Sequence, residues 1–156
     1  MPESLLINRR DLDFQLFEVL RAQDLTQRAR HADHSRETFA AALHTAHTIA
    51  EEKFAPHNRA SDEHEPRFED GRVHMIAEVR EALDAFCAAG LLAPAKDYEQ
   101  GGMQLPVVLA QACAALFKSA NGATSSYAWL TLGNANVIER FGTEAQKRKY
   151  LGALLS

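Results

Sequence analysis

Residues 107–117 read VVLAQACAALF, an almost unbroken apolar run in which Gln111 is the sole polar side chain. Pro106 stands directly before the run. Proline fits the first turn of a helix, because the N–H that it lacks has no partner there. A helix that is apolar on all sides is buried on most of them. The stretch therefore predicts a buried helix within an all-α domain.

Apolar residues at helical spacing also occupy the chain before this run. Residues 11–30 carry one apolar stripe and predict a short helical extension packed on the main body. A second helix is expected from Ser35, whose hydroxyl can cap free N–H groups, to a kink or a stop at Pro56. Residues 57–71 are polar and predict a helix tail followed by a loop. A third helix is expected over residues 73–89.

The loop before the apolar run and the helices after it complete the pattern. The pair Gly101-Gly102 in that loop indicates a turn that needs positive φ. Helices are expected over residues 123–140 and, after a capping box of Thr143 and Gln146, over residues 144–155. Because the connections are short, antiparallel packing is favoured.

The predicted fold is an all-α bundle of five to six mostly antiparallel helices. Residues 1–34 are expected to form an N-terminal helical extension, and residues 35–156 the main helical domain. We find no strictly alternating β-branched pattern of the kind that predicts strands.

The composition fits a soluble globular domain, since 46% of the 156 residues are hydrophobic and 24% are charged, with a formal net charge of -4. No basic patch is visible, so nucleic-acid binding is not expected. Cys87 and Cys113 lie in apolar stretches without a CxxC partner, which indicates reduced core thiols and a cytoplasmic location. Residues 1–10 lack a signal-peptide run, and no apolar run approaches the ~20 residues that span a bilayer.

Three side chains on the second helix have the spacing of a partial metal site. His44, His47 and Glu51 stand at i, i+3 and i+7 on one helical face, which supplies at most half of a ligand set. Histidines on a solvated surface explain the same pattern. The sequence also contains no GxGxxG, Walker-type, GxSxG or HExxH motif, so no catalytic, cofactor-binding or metal-binding residue is predicted.

The helix predicted over residues 123–140 carries a mixed face. Ser126, Trp129, Leu130 and Gly133 fall at i, i+3, i+4 and i+7, so they share one side of the helix. A helix–helix contact explains this face, with Gly133 permitting close approach, and periodicity alone favours that interpretation. The alternative is one wall of an apolar ligand pocket in which the hydroxyl orients the ligand.

Four segments, taken in order, resemble those of the acyl-CoA dehydrogenase family. Residues 54–56 (FAP) end a helix as the family's AP sequence does, and residues 88–92 (AAGLL) resemble its aelGLlg segment. Residues 97–102 (DYEQGG) resemble its peeYGG loop, although the family usually has a further glycine two residues later. Residues 141–151 (FGTEAQKRKYL) resemble its fGteeQkqrYLp segment, which is the most specific match.

Residues 11–20 and 67–71 further resemble an extended branch of the family, which includes the 3-methylmercaptopropionyl-CoA dehydrogenase-like enzymes. The resemblance implies that this helical domain precedes a β-domain and a C-terminal helical domain. In the family, FAD lies between those two, and a glutamate of the C-terminal part removes the α-proton of acyl-CoA. An electron-transfer flavoprotein then accepts the electrons. The implied complete enzyme is a homo-oligomer, and this chain alone is expected to lack the base and the flavin site.

The family's counterpart of residues 125–136 lines the acyl cavity. The resemblance therefore implies five substrate-binding candidates: Ser126, Tyr127, Trp129, Leu130 and Gly133. A bulky Trp129 that points inward would shorten the cavity, which implies a short or medium acyl group.

The competing hypothesis is a stand-alone helical module for protein interaction or oligomerisation. The chain ends at Ser156 without a capping residue after the last helix, and we expect the sequence to be incomplete. An incomplete domain would expose its pocket face, and exposed apolar patches favour association. The chain is therefore expected to pair with itself.

Overall fold

The computed structural model describes residues 6–155. Seven α-helices form within that range: α1 (Arg9–Asp13), α2 (Arg36–Ile49), α3 (Asn58–Glu63), α4 (Ala77–Ala88), α5 (Val107–Ala120), α6 (Gly122–Phe141) and α7 (Glu144–Leu155). The 3-10 helices span Ala22–Gln27, Ala29–His31, Ala55–His57 and Tyr98–Gln100, and π-helical turns span Phe14–Val19 and Ala50–Phe54. An antiparallel hairpin consists of β1 (Arg67–Glu69) and β2 (Arg72–His74). The all-α prediction is confirmed. The described residues contain more helices than expected, because α1 and α3 are short helices that the sequence pattern did not separate from their neighbouring segments.

Residues 1–5 and Ser156 lie outside the described residues. Two sequence expectations fall there in whole or in part: the lack of a signal-peptide run in residues 1–10, and the absence of a cap at the chain end. Among residues 6–155, no helix combines the length and the apolarity that crossing a membrane requires.

Helix α5 lies at the centre of the hydrophobic core, as predicted. Its buried side chains are Leu109, Ala110, Ala112, Cys113, Ala114, Leu116, Phe117 and Ala120. Phe117 is 0% exposed, and its ring centroid lies 4.8 Å from that of Phe54 and 4.8 Å from that of Phe86. Edge-to-face ring pairs of this kind stabilise a core beyond the area that they bury. The three rings thereby join α5 to α4 and to the chain that follows α2.

The N-terminal extension is helical and packs on the main body, but it is not one helix. Its winding changes from α1 to a π-helical turn, and the helix then breaks at Arg21, whose φ is 50°. Leu16, Phe17 and Ala22 are buried in the same hydrophobic core as α5. Residues 11–30 therefore form several short helical turns, and the break at Arg21 could not be predicted because apolar spacing does not reveal a single left-handed residue.

Helix α2 begins as predicted and loses its regular winding near the predicted point. The Ser35 hydroxyl accepts a hydrogen bond from the Thr38 N–H at 3.3 Å. From Ala50 the chain continues as a π-helical turn and then as a 3-10 turn that contains Pro56. Proline has no N–H to donate inside a helix. The winding is therefore irregular around Pro56, but the chain does not stop there, because the 3-10 turn leads directly into α3.

The hairpin lies where a loop and the start of a helix were expected. Asp70 and Gly71 have φ angles of 51° and 75°, and they form the two-residue turn for which this pair is well suited. All of residues 62–75 are exposed. The predicted helix start at Val73 is wrong, because α4 begins only after Met75, whose side chain is exposed.

The loop between α4 and α5 folds back on itself. The Met103 and Leu105 N–H groups both donate to the Pro94 carbonyl, at 3.2 and 2.9 Å. The Gln104 N–H donates to the Lys96 carbonyl at 2.9 Å. These bonds hold residues 94–96 and 103–105 side by side, which gives the loop a defined shape.

Candidate functional site

A buried polar cluster fixes the start of α6. The Asn121 side-chain oxygen accepts the Thr124 N–H at 3.0 Å, and its amide donates to the Phe54 carbonyl at 3.3 Å. His57 donates from Nδ1 to the Lys53 carbonyl at 2.8 Å, so in the neutral ring Nε2 accepts from the Thr124 hydroxyl at 2.9 Å. Because these buried groups are paired, they set the direction and the rotation of α6.

That rotation turns one apolar face of α6 outward. Leu130 is 70% exposed and Val137 58% exposed, and Ser126 and Gly133 are exposed beside them. The Ser126 hydroxyl donates to the Gly122 carbonyl at 2.6 Å. An added Cβ at Gly133 would meet no atom within 4 Å. Within residues 6–155, no second helix therefore makes the close contact at Gly133 that the helix–helix interpretation requires.

The predicted site residues are divided between this outer face and one flank of α6. Tyr127 is exposed and belongs with the outer face. Trp129 is half-buried, and its ring lies edge-on to Phe86 with centroids 6.1 Å apart, while Lys118 Nζ lies 5.3 Å from the ring centroid. Trp129 Nε1 is buried and has no hydrogen-bond partner among residues 6–155. Trp129 thus does not share the solvent-facing side of its neighbour Leu130.

A cleft of about 240 Å³ lies beside Trp129. Helix α6 contributes Trp129, Leu132 and Asn136 to it, α5 contributes Val107, Ala110 and Gln111, and the loop contributes residues 93–96. Apolar walls with a few amide groups are typical of small-molecule sites. A larger recess of about 640 Å³ lies beside the hairpin, but its lining is mostly exposed and polar. We take the cleft as the candidate site.

An ion pair attaches the loop to α6 next to the cleft. Lys96 Nζ contacts Glu139 Oε2, and Gln100 Nε2 donates to Glu139 Oε1 at 2.5 Å. These hydrogen bonds from Lys96 and Gln100 hold the pKa of Glu139 below its ordinary value. Sequence reasoning missed this pair, because 43 residues separate Lys96 from Glu139 and no local pattern relates them.

The Gly101-Gly102 loop is a turn and does not fit a phosphate cradle. Gly101 has a φ of 79°, which confirms the predicted positive φ at one of the two positions. The Gly101 N–H donates to the Tyr98 carbonyl and the Gly102 N–H to the Asp97 carbonyl, each at 3.0 Å. Because these N–H groups are already bonded within the loop, they are not available to the diphosphate of a flavin dinucleotide.

The partial metal pattern does not extend to a full ligand set in the described part of the chain. His47 Nδ1 lies 3.6 Å from Glu51 Oε2, and His44 is exposed. Residues 6–155 contain no group of three or more histidine, cysteine, aspartate or glutamate side chains placed to hold a metal ion. Cys87 and Cys113 are free thiols, and burial raises the pKa of Cys113 to about 11. The Cys113 thiol therefore stays protonated at neutral pH and acts as a core side chain.

The outer face of α6 is expected to drive self-association of the 156-residue chain. Leu130→Glu should raise the dissociation constant of the dimer roughly tenfold or more, because it places a charge in the apolar contact. Sedimentation equilibrium measures the effect. Leu20→Glu is the matched control, since Leu20 is also exposed but lies in the extension. A chain that stays monomeric at high concentration, or an equal effect of both changes, would contradict the prediction.

The all-α fold is consistent with the N-terminal domain of a known protein family. Residues 36–156 match the acyl-CoA dehydrogenase N-terminal domain, and the chain belongs to the acyl-CoA dehydrogenase family. It is 31% identical over 116 residues to 3-methylmercaptopropionyl-CoA dehydrogenase of Ruegeria pomeroyi, an alignment that covers 74% of this chain and 20% of the relative. The chain thus spans about a fifth of the length of this curated relative. The family resemblance read from residues 54–56, 88–92, 97–102 and 141–151 is confirmed.

Proposed function

We propose that this chain is the N-terminal helical domain of an FAD-dependent acyl-CoA dehydrogenase, in which α6 forms one wall of the acyl cavity. The observation that supports this most is an exposed apolar face on α6 next to a cleft at Trp129. When a cavity is formed between two domains, each domain by itself exposes an apolar surface of this kind to solvent. In this proposal, the opposite side, the flavin and the base belong to the rest of the complete protein.

In the complete enzyme, bound FAD would supply the acceptor for the β-hydride of an acyl-CoA thioester, and a base would be needed to remove the α-proton. No residue of this chain is proposed for either role. Its residues bind the acyl tail and exclude water from it. Leu130 and Val137 supply apolar surface, the Ser126 oxygen can accept a hydrogen bond, and Gly133 leaves room for the ligand to approach the helix.

Further features of the complete enzyme follow from the same proposal. An electron-transfer flavoprotein is the proposed electron acceptor, and a homo-oligomer is the proposed assembly. The cytoplasm is the proposed location, because free thiols such as Cys87 and Cys113 are typical of reducing compartments.

Trp129 is proposed to limit the length of the acyl group to short or medium chains. In the complete enzyme, Trp129→Ala should shift the preference toward longer acyl-CoA substrates. The ratio of kcat/KM for a longer to a shorter substrate should rise roughly tenfold, because each methylene in an apolar pocket contributes about 1–3 kcal/mol. Steady-state kinetics over a series of acyl-CoA chain lengths measures this ratio.

Phe14→Ala is the matched control for this experiment, because Phe14 is an aromatic residue of the extension that does not line the cleft. It should leave the chain-length profile unchanged. An unchanged profile in Trp129→Ala would show that Trp129 does not set the length of the cavity.

A second candidate is a stand-alone helical module for protein interaction or oligomerisation, which the exposed face of α6 also favours. Two observations separate the candidates. If the gene continues beyond the codon for Ser156 into a β-domain, the dehydrogenase is supported. If the complete purified protein is yellow, it carries oxidised flavin, whereas a helical module alone would be colourless.

A further inference from the structure

A short segment before the family domain contacts the loop that forms one wall of the cleft. The match to the acyl-CoA dehydrogenase N-terminal domain begins at residue 36. Residues 28–34 therefore lie outside it. They nevertheless bind residues 95–104 through several hydrogen bonds and an ion pair.

Arg30 makes the central contacts of this segment. One guanidinium nitrogen forms an ion pair with Asp97, and the other donates to the Ala95 carbonyl at 3.0 Å. In return, the Gln104 side-chain amide donates to the Arg30 carbonyl at 3.1 Å. The planar guanidinium can serve two acceptors at once in this way, which a lysine ammonium on its flexible stem reproduces poorly.

Two histidines bind the other limb of the loop. His31 Nδ1 donates to the Gln104 carbonyl at 2.8 Å, and His34 Nε2 donates to the Met103 carbonyl at 2.8 Å. A carbonyl oxygen only accepts hydrogen bonds, so each of these ring nitrogens carries a hydrogen. That hydrogen is present in both the neutral and the charged ring. Protonation of either histidine therefore leaves its contact intact.

The opposite side of the loop faces the cleft. Ala95 accepts the hydrogen bond from Arg30 through its carbonyl, and Ala95 and Lys96 also line the cleft beside Trp129. We propose that residues 28–34 act as a clamp that fixes this wall of the cleft, with Arg30 as the principal positioning residue. An influence of the clamp on the choice of acyl group rests on the proposed function. The effect of the clamp on the loop does not depend on that function.

The clamp depends on several contacts acting together. Arg30 and Asp97 are each nearly half exposed, and an exposed ion pair alone contributes little to stability. The loop is also attached to α6 through Lys96 and Glu139. Loss of Arg30 should therefore release one side of the loop and leave the helical bundle folded.

The experiment compares three variants of the 156-residue chain: Arg30→Ala, Arg30→Lys and the control Arg10→Ala. Arg10 is an arginine of the extension that pairs locally with Glu18 at 2.7 Å. Hydrogen exchange is measured at the Gln104 and Leu105 amides, whose N–H groups are bonded within the loop. Acrylamide quenching is measured on Trp129, which is the single tryptophan of the sequence.

Arg30→Ala is expected to speed exchange at the two loop amides roughly tenfold and to increase quenching of Trp129. Arg30→Lys should give a smaller change, and Arg10→Ala none. The clamp is refuted if Arg30→Ala matches the wild type in both measurements, or if it speeds exchange equally throughout the chain. Both readouts are independent of any acyl ligand, so a failure here is distinguishable from an unchanged chain-length profile in Trp129→Ala.

Discussion

Phe117→Ala is expected to reduce the free energy of unfolding by about 3–5 kcal/mol. The Phe117 ring is fully buried and contacts both Phe54 and Phe86 at centroid distances of 4.8 Å. Truncation to alanine loses the transfer free energy of the ring and leaves a cavity between three elements. Because small domains are stable by only about 5–15 kcal/mol, the loss would be a large fraction of the total. Urea unfolding followed by circular dichroism measures it.

Phe141→Ala is the matched control for this truncation. Phe141 ends α6 and is 79% exposed, so its loss should change the free energy of unfolding by less than about 0.5 kcal/mol. If the two variants unfolded at the same urea concentration, the three-ring cluster would not be the centre of the core.

Gly102→Ala is expected to destabilise the chain by about 1–3 kcal/mol, or to displace the loop at comparable cost. A Cβ at this position would lie 2.2 Å from the Lys96 carbonyl oxygen and 2.5 Å from the Lys96 carbonyl carbon. Both atoms belong to the backbone and are held by the bonds within the loop, so a side-chain rotation cannot relieve the overlap. Urea unfolding measures the loss of stability, and the hydrogen-exchange rate of the Gln104 amide measures the displacement of the loop.

Gly133→Ala is the control, and it is expected to change the free energy of unfolding in the opposite direction. Gly133 lies within α6 with open space around it, and alanine is favoured over glycine inside a helix by about 0.5–1 kcal/mol. The variant should therefore be slightly more stable than the wild type. Destabilisation of equal size at both positions would mean that the close approach at Gly102 is not the cause.

Most of the bundle could be predicted because its signals are local. The apolar run at residues 107–117 indicates burial by itself, and the Ser35 cap marks a helix start within one turn. The capping box of Thr143 and Gln146 likewise marks the start of α7, and in it the Thr143 N–H donates to Gln146 Oε1 at 2.8 Å. The hairpin was missed although Asp70-Gly71 is a turn signal, because each flanking strand has only three residues.

The rotation of α6 could not be obtained from spacing. Trp129 and Leu130 are neighbours, and consecutive residues point about 100° apart around a helix. Spacing allows both to belong to one broad face, yet Trp129 turns toward the cleft and Leu130 toward solvent. The buried contacts of Asn121 and Thr124 decide that rotation. They join residues 67 apart in the chain, which no local pattern reveals.

The hairpin has a consequence for how this chain tolerates changes of length. No side chain from residue 62 to residue 75 is buried, so none of them supports the packing of the bundle. Insertions and deletions are accommodated best where the affected backbone carries little burial. The Asp70-Gly71 tip is therefore the place where added residues, or an attached label, would change the outline of the molecule and leave its interior as it is.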